Sequence, residues 1–162
     1  MVKPHTQNCP VAGMLNIVGD QWTWLILREA FYGASRFKEF ERNTGIAKNL
    51  LSNRLARLVD EGLLKKFDIG QMGTRYAYSL TPKGRSLNTV MIAMLQWGNE
   101  HLYAEGEAPV EIIERQTGVP IGPLVLQTRD GRRLEPKDIK TVPGPGAKGA
   151  VCQRLAAIKD NP

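Results

Sequence analysis

Apolar positions recur at intervals of three and four along most of the first hundred residues, and at intervals of two in only a few short runs. Leu15, Val18, Trp22, Leu25, Ile26 and Glu29 mark the first helical spacing, over residues 11 to 32, with Gly19-Asp20 as a break. Trp22, Trp24 and Phe31 lie among aliphatic residues at that spacing, which predicts core packing rather than an aromatic platform. Gly33 ends the segment and Ser35 suits an N-cap. A short helix over about 36 to 43 then turns Phe37 and Phe40 inward and Arg36, Lys38, Glu39 and Arg42 outward, ending in the turn Asn43-Thr44-Gly45. In the next helix Ala47, Leu51, Leu55, Leu58 and Val59 share one arc, and Gly62 closes it. LLKKFDI (63 to 69) and TRYAYSL (74 to 80) read as two strands joined by Gly70-Gln71-Met72-Gly73, with Leu64, Phe67, Ile69, Tyr76, Tyr78 and Leu80 as their apolar content.

Thr81-Pro82 opens a helix by two rules, since threonine caps and proline is favoured at the first helical position. Its stripe of Leu87, Val90, Met91, Met94, Leu95, Trp97, His101 and Leu102 runs to about Ala104, too long for a small core to cover, and predicts a dimer helix. Past the linker Glu105-Gly106-Glu107 the period changes. Short strands are predicted within 110 to 116, 124 to 130 and around 139 to 142, with Asp130-Gly131 as a hairpin turn. Pro143-Gly144-Pro145-Gly146 stops regular structure, and residues 147 to 159 fit a short amphipathic helix.

The polar side of the helix at 47 to 61 changes the picture. Asn49, Ser52, Asn53 and Arg57 fill it, with Lys48 at its start and Arg54 at its edge. Two short helices joined by a tight turn, the second polar over its first turns, form a helix-turn-helix. The second helix of such a pair enters the major groove, where Lys and Arg favour guanine and Asn favours adenine. A hairpin directly after it is the wing of a winged helix, and Lys65, Lys66 and Arg75 there would neutralise phosphates, as would Arg36 on the preceding helix. The charge agrees. From Arg36 to Arg85 there are eleven basic and five acidic residues, an excess of six that equals the +6 of the whole chain, so the flanks are neutral.

Other chemistries find little support. The start, MVKPHTQNCP, has no apolar core, and no apolar run approaches the roughly 18 residues of a membrane helix. This predicts a cytoplasmic protein with no membrane partner. Cys9 and Cys152 are too few for a disulfide scaffold and too distant for a local metal motif, and His101 has no second ligand within a turn. No catalytic triad, paired carboxylate frame or phosphate-binding glycine loop is present. Neither enzyme activity, nor a cofactor, nor a metal is expected.

Residues 9 to 105 resemble the HxlR family of bacterial winged-helix transcription regulators. The resemblance runs through CPVAGMLNIVGDQWTWLILREAFYG (9 to 33), RFKEFER (36 to 42), GIAKNLLSNRLARLVDEGLL (45 to 64), YSLTPKGRSL (78 to 87) and MLQWG (94 to 98), in order. It implies a homodimer that binds a palindromic operator on double-stranded DNA and represses or activates nearby genes. By position, Lys48, Asn49, Ser52, Asn53, Arg54 and Arg57 fall on the recognition helix and Arg75 on the wing. Relatives often carry Ser-Pro where this chain has Ala47-Lys48, a lost cap of about 1 kcal/mol. Residues 110 to 147 resemble a small zinc-ribbon extension through GPLVLQ and LEPKDIKTVPGPGA. Where such relatives have cysteine pairs, this chain has Gln116, Thr117, Gln127 and Asp130, so apolar packing or the dimer partner must hold the piece together.

Cys9 matches the position at which some members sense oxidants or electrophiles, and a helix N-terminus there would favour the thiolate. The alternative is an inert packing thiol. A small-molecule effector at the dimer helices is a second candidate trigger, and a winged helix used for protein contact alone is the rival to DNA binding. The expectation is an α+β chain: a winged helix-turn-helix domain with flanking dimerisation helices at 9 to 105, a small β-rich extension at 108 to 146, and a tail at 147 to 162.

Overall fold

The computed structural model describes residues 4–70 and 75–157, arranged as two compact units. The first comprises residues 1–5 and 11–91, the second residues 6–10 and 92–162. The dividing point falls within a helix, after Met91.

In the first unit α1 (Pro10–Val18) and α2 (Gln21–Phe31) are separate helices, broken where the sequence places Gly19-Asp20. Asp20 caps α2, accepting from the Thr23 N–H at 3.1 Å and its hydroxyl at 2.6 Å. Leu15, assigned to the apolar stripe, is exposed. α3 (Phe37–Thr44) starts one residue later than Ser35 suggested, with Arg36 at its N-cap. Glu39, expected to point outward, folds back, and its carboxylate accepts from the backbone N–H groups of Ser35 (2.8 Å) and Arg36 (2.9 Å). A carboxylate on the first turn satisfies donors that a helix start leaves open and complements its dipole. These two bonds, Ser35 first, hold the Glu39 carboxyl below its ordinary pKa.

Gly45 ends α3 at φ +70°, which an L side chain rarely adopts, and delivers the chain into α4 (Lys48–Asp60). Leu51, Leu55 and Leu58 of α4 are fully buried with Ile26, Leu27 and Phe40. Val59 is half-buried against this cluster, whereas Ala47, placed on the same arc, is the exposed N-cap of α4. Trp22, Trp24 and Phe31 pack on the cluster's edge, as their spacing predicts.

β1 (Leu64–Asp68) and β2 (Tyr76–Leu80) form an antiparallel hairpin in the register Leu64↔Leu80 through Asp68↔Tyr76. The Tyr78 N–H donates to the Ser35 carbonyl at 2.7 Å, and Arg36 bridges Ala77, so the chain before α3 adds a short third edge. Leu64, Ala77 and Tyr78 are buried, while Phe67, directly opposite Ala77, and Ile69 and Tyr76 are exposed. The predicted turn residues Gln71, Met72 and Gly73 lie outside the described residues.

The helix expected over 82 to 104 is two helices, α5 (Pro82–Arg85) and α6 (Asn88–Leu102). The Thr81 N–H donates to the Leu63 carbonyl at 3.0 Å, and the Thr81 hydroxyl donates to the Gly62 carbonyl at 2.6 Å and accepts from Gly84 N–H at 3.0 Å. Gly84 lies so close that a Cβ there would sit 2.1 Å from the Leu63 oxygen. The first turn is thus pinned to the start of β1. The chain re-aims through a tighter turn, in which the Leu87 N–H reaches the Gly84 carbonyl, before α6 begins.

The second unit holds the rest of α6, the extension and α7 (Gly149–Ala156). The extension has little regular structure. Instead of three strands it has the two-residue pair β3 (Leu126–Gln127) and β4 (Arg133–Leu134), closed through Asp130-Gly131, and an isolated bridge Ile113↔Pro120. Residues 139 to 142 are not a strand; a single 3-10 turn, Pro136–Asp138, precedes them. Hydrogen bonds close its turns. Glu114 accepts from Gln116 N–H at 3.1 Å, Thr117 N–H at 2.8 Å and the Thr117 hydroxyl at 2.5 Å, and Thr128 donates its hydroxyl to Asp130. Gln116, Thr117 and Asp130 are among the residues at which the zinc-ribbon resemblance implied lost cysteines. The Thr117 hydroxyl bond above all holds Glu114 below its ordinary pKa, and the Thr128 hydroxyl does the same for Asp130.

Candidate nucleic-acid interface

The polar side of α4 divides into two groups. Lys48, Asn49, Ser52 and Asn53 are exposed over the first two turns, opposite the buried leucines. Lys48 is weakly engaged, its ammonium 3.8 Å from the Glu41 carboxylate and three-quarters exposed. No side chain caps α4 at Ala47, so the N–H groups of its first turn are open to an outside acceptor.

The two arginines behave differently. The Arg54 guanidinium donates through Nε to Asp20 Oδ1 at 3.0 Å and is only 26% exposed. Arg57 donates through Nη2 to the Asn16 carbonyl in α1. The helical wheel places Arg57 within the polar arc and Arg54 at its edge, both as DNA contacts, but in the structure both turn back onto the chain before α2. Asp20 therefore caps α2 and holds α4 through one carboxylate. Its burial raises its pKa, but the hydrogen bonds from Thr23 and Arg54 outweigh this and leave it lowered. Asp20, which the sequence marks only as part of a break, stands three residues before Thr23 as a cap does. Nothing local linked Asp20 to Arg54, 34 residues away.

The wing separates its lysines. Residues directly opposite in an antiparallel pair share a face, and neighbours along a strand alternate. Lys66 therefore lies on the face of Leu64, Tyr76 and Tyr78, with its ammonium 3.6 Å from the centre of the Tyr76 ring. Lys65 lies on the opposite face, across from Ser79. Arg75 is exposed at the start of β2, and its N–H is held by Asp68 at 3.1 Å. Asp68 also accepts from Gly70 N–H at 2.8 Å, and these bonds, Gly70 first, keep its carboxyl below its ordinary pKa. Arg36 is exposed at the start of α3.

The residues assigned to a dimer face also divide. Met91 is buried in the core of its own chain and Leu87 packs against it, which removes both from any exposed face. Val90, Met94 and Trp97 are exposed, as is His101, whose ring meets Trp97 edge-on at 4.9 Å. Leu95 is half-buried and lines a cleft of about 370 Å³ with Asn99, Val110 and Ile121. Sequence reasoning missed Gln96 and Asn99. Gln96 donates to the Gly122 carbonyl (2.9 Å) and accepts from Leu124 N–H (2.8 Å), and Asn99 donates to the Val110 carbonyl (2.7 Å). Amides on a helix face that otherwise reads as apolar were the available signal. Cys9 and Cys152 are both half-buried in the second unit. The Lys148 N–H at the start of α7 donates to Asn8 at 3.4 Å, beside Cys9. Among the described residues no group of three or more His, Cys, Asp or Glu could hold a metal, and no helix is long and apolar enough to cross a membrane.

A family model described as HxlR-like helix-turn-helix matches residues 17–106. An uncharacterised HTH-type transcriptional regulator of Mycobacterium tuberculosis is 36% identical over 138 residues, which cover 85% of this chain and 87% of that one. Among solved structures, PA1607, named as a candidate transcription factor, aligns over 84% of this chain and 95% of its own, at 38% identity and a TM-score of 0.77. The oxidised form of the redox regulator HypR aligns over 59% of this chain and all of its own, at 29% identity and a TM-score of 0.55.

Proposed function

The chain belongs to the HxlR-like helix-turn-helix family of transcriptional regulators, and from that premise we propose that it is a homodimer that reads a palindromic operator through α4. One observation carries the reading. Leu51, Leu55 and Leu58 lock α4 to the core while Asn49, Ser52 and Asn53 stand exposed on its other side. Paired amides suit adenine edges, and a serine hydroxyl serves any base. Arg36, Lys48, Arg75 and whichever of Lys65 and Lys66 lies on the DNA-facing side of the wing supply phosphate contacts, which fix register without reading sequence. Arg54 and Arg57 set the pose of α4 from behind. The exposed Val90, Met94 and Trp97 of α6 form the dimer face, so that two recognition helices meet half-sites one helical turn apart, roughly 34 Å, or a multiple of it.

For the trigger, the likeness to a redox regulator, HypR, supports oxidation, and Cys9, which immediately precedes α1, is the candidate thiol. The cleft beside Leu95 favours a second reading, a small-molecule effector bound next to α6. The test of the main reading is selection of duplexes by the full-length protein from a randomised pool. Enrichment of an inverted repeat is expected, and recovery of an unenriched pool would overturn the reading.

A further inference from the structure

The extension cannot hold itself together. Between residues 103 and 157 no described residue is buried, and Ile113, Val119, Leu124, Leu126, Ile139 and Val142 are each about half exposed or more. A piece of about 40 residues needs disulfides, a metal or an associated chain to be stable. Cys9 and Cys152 are the chain's two cysteines and His5 and His101 its two histidines, so residues 108 to 146 supply neither a disulfide nor cysteine or histidine ligands. Within its own unit the extension is tied to α6 by the hydrogen bonds of Gln96 and Asn99 to its backbone.

The face of α6 is unfinished in the same way. Val90, Met94, Trp97, Leu102 and the following Tyr103 are 37–67% exposed. At roughly 200 Å² for a whole large side chain, this set offers roughly 500 Å². A stable interface takes about 800 Å² from each partner. The helix alone falls short by an amount that the extension's exposed side chains can supply.

We infer that the extension is an interaction surface whose occupant is a second copy of this chain: its apolar side chains close over the partner's surface and complete the dimer interface begun by α6. This rests on the reading of α6 as the dimer helix. It explains why α6 spends two amides on fixing the extension's backbone. They hold the backbone at Leu124 and Val110 in place and leave the Leu124 side chain 45% exposed for the partner.

The experiment uses the full chain. Leu124→Asp combined with Leu126→Asp leaves the backbone bond from Leu124 to Gln96 intact, and sedimentation equilibrium should show a dimer dissociation constant raised at least tenfold. Hydrogen exchange on the wild type, above and below that constant, gives a second readout that needs no variant. Amides in 110 to 126 should gain protection when the dimer forms. An unchanged constant, or protection confined to α6, overturns the proposal. Met94→Glu separates the two ideas. If it abolishes dimerisation and the extension variant does not, the α6 reading stands and this one fails; if neither does, the α6 reading fails as well.

Discussion

At the scale of single residues, the division of α4 turns on what each side chain is bonded to. Asn53 and Asn49 are exposed, whereas Arg54 is spent on Asp20. Arg54→Ala should therefore act on stability first, at about 1 kcal/mol for a partly exposed pair, and weaken specific and random DNA alike. Asp20→Ala should cost more, because the α2 cap goes with the pair. Chemical denaturation of both variants and the double mutant gives the coupling, and zero coupling would contradict the contact. The pH dependence has a definite sign. The Asp20 carboxyl is lowered in the fold from its usual 3.8, so its stabilisation is complete above that value and is lost as pH falls through the folded pKa. The stability gap between wild type and Asp20→Ala should shrink below about pH 4. A gap that is constant down to pH 2 would show that the carboxylate charge is not what matters.

At the scale of elements, the wing makes the sharpest prediction. Adjacent lysines look interchangeable in sequence, but Lys65 and Lys66 lie on opposite faces of β1. A duplex held on one face should feel them unequally. Only one of Lys65→Ala and Lys66→Ala should lower the salt slope of binding by about one unit. Equal reductions for both would mean that the hairpin meets DNA edge-on. Gly84 makes a second. Gly84→Ala would drive a Cβ into the Leu63 carbonyl, backbone that cannot swing aside, and should destabilise by about 1–3 kcal/mol in thermal melts.

These elements also show what the sequence could reveal. The leucines of α4, the Thr81-Pro82 start and the turn at Gly45 were legible because period and capping are local. The break between α5 and α6 was not, because it depends on Leu63, distant in sequence from Gly84. The roles of Arg54 and Arg57 were missed for the same reason, since a helical wheel shows which side a cation occupies but not the acceptor waiting there. The extension was read as strands because its composition is strand-like. Glu114 and Thr128 instead close two turns within it, and most of its backbone has no regular structure.

At the scale of the whole molecule, oxidation and DNA binding should be coupled. Peroxide converts a cysteine thiolate to a sulfenic acid, and a second thiol then displaces water to form a disulfide. The Asn8–Lys148 bond gives Cys9 a within-chain candidate partner in Cys152 on the first turn of α7. Treated protein should run as a faster band on a non-reducing gel and release its DNA, and Cys9→Ser should do neither. A slow band instead would assign the bond to two subunits.

Base reading by the exposed face of α4 is measured most directly by the affinity of Asn53→Ala, at fixed salt, for the duplex selected by the wild type and for random DNA of equal length. A loss of roughly 1–3 kcal/mol is expected on the selected duplex and almost none on random DNA. An equal loss on both would reduce Asn53 to a backbone contact, and no loss on either would remove α4 from the groove.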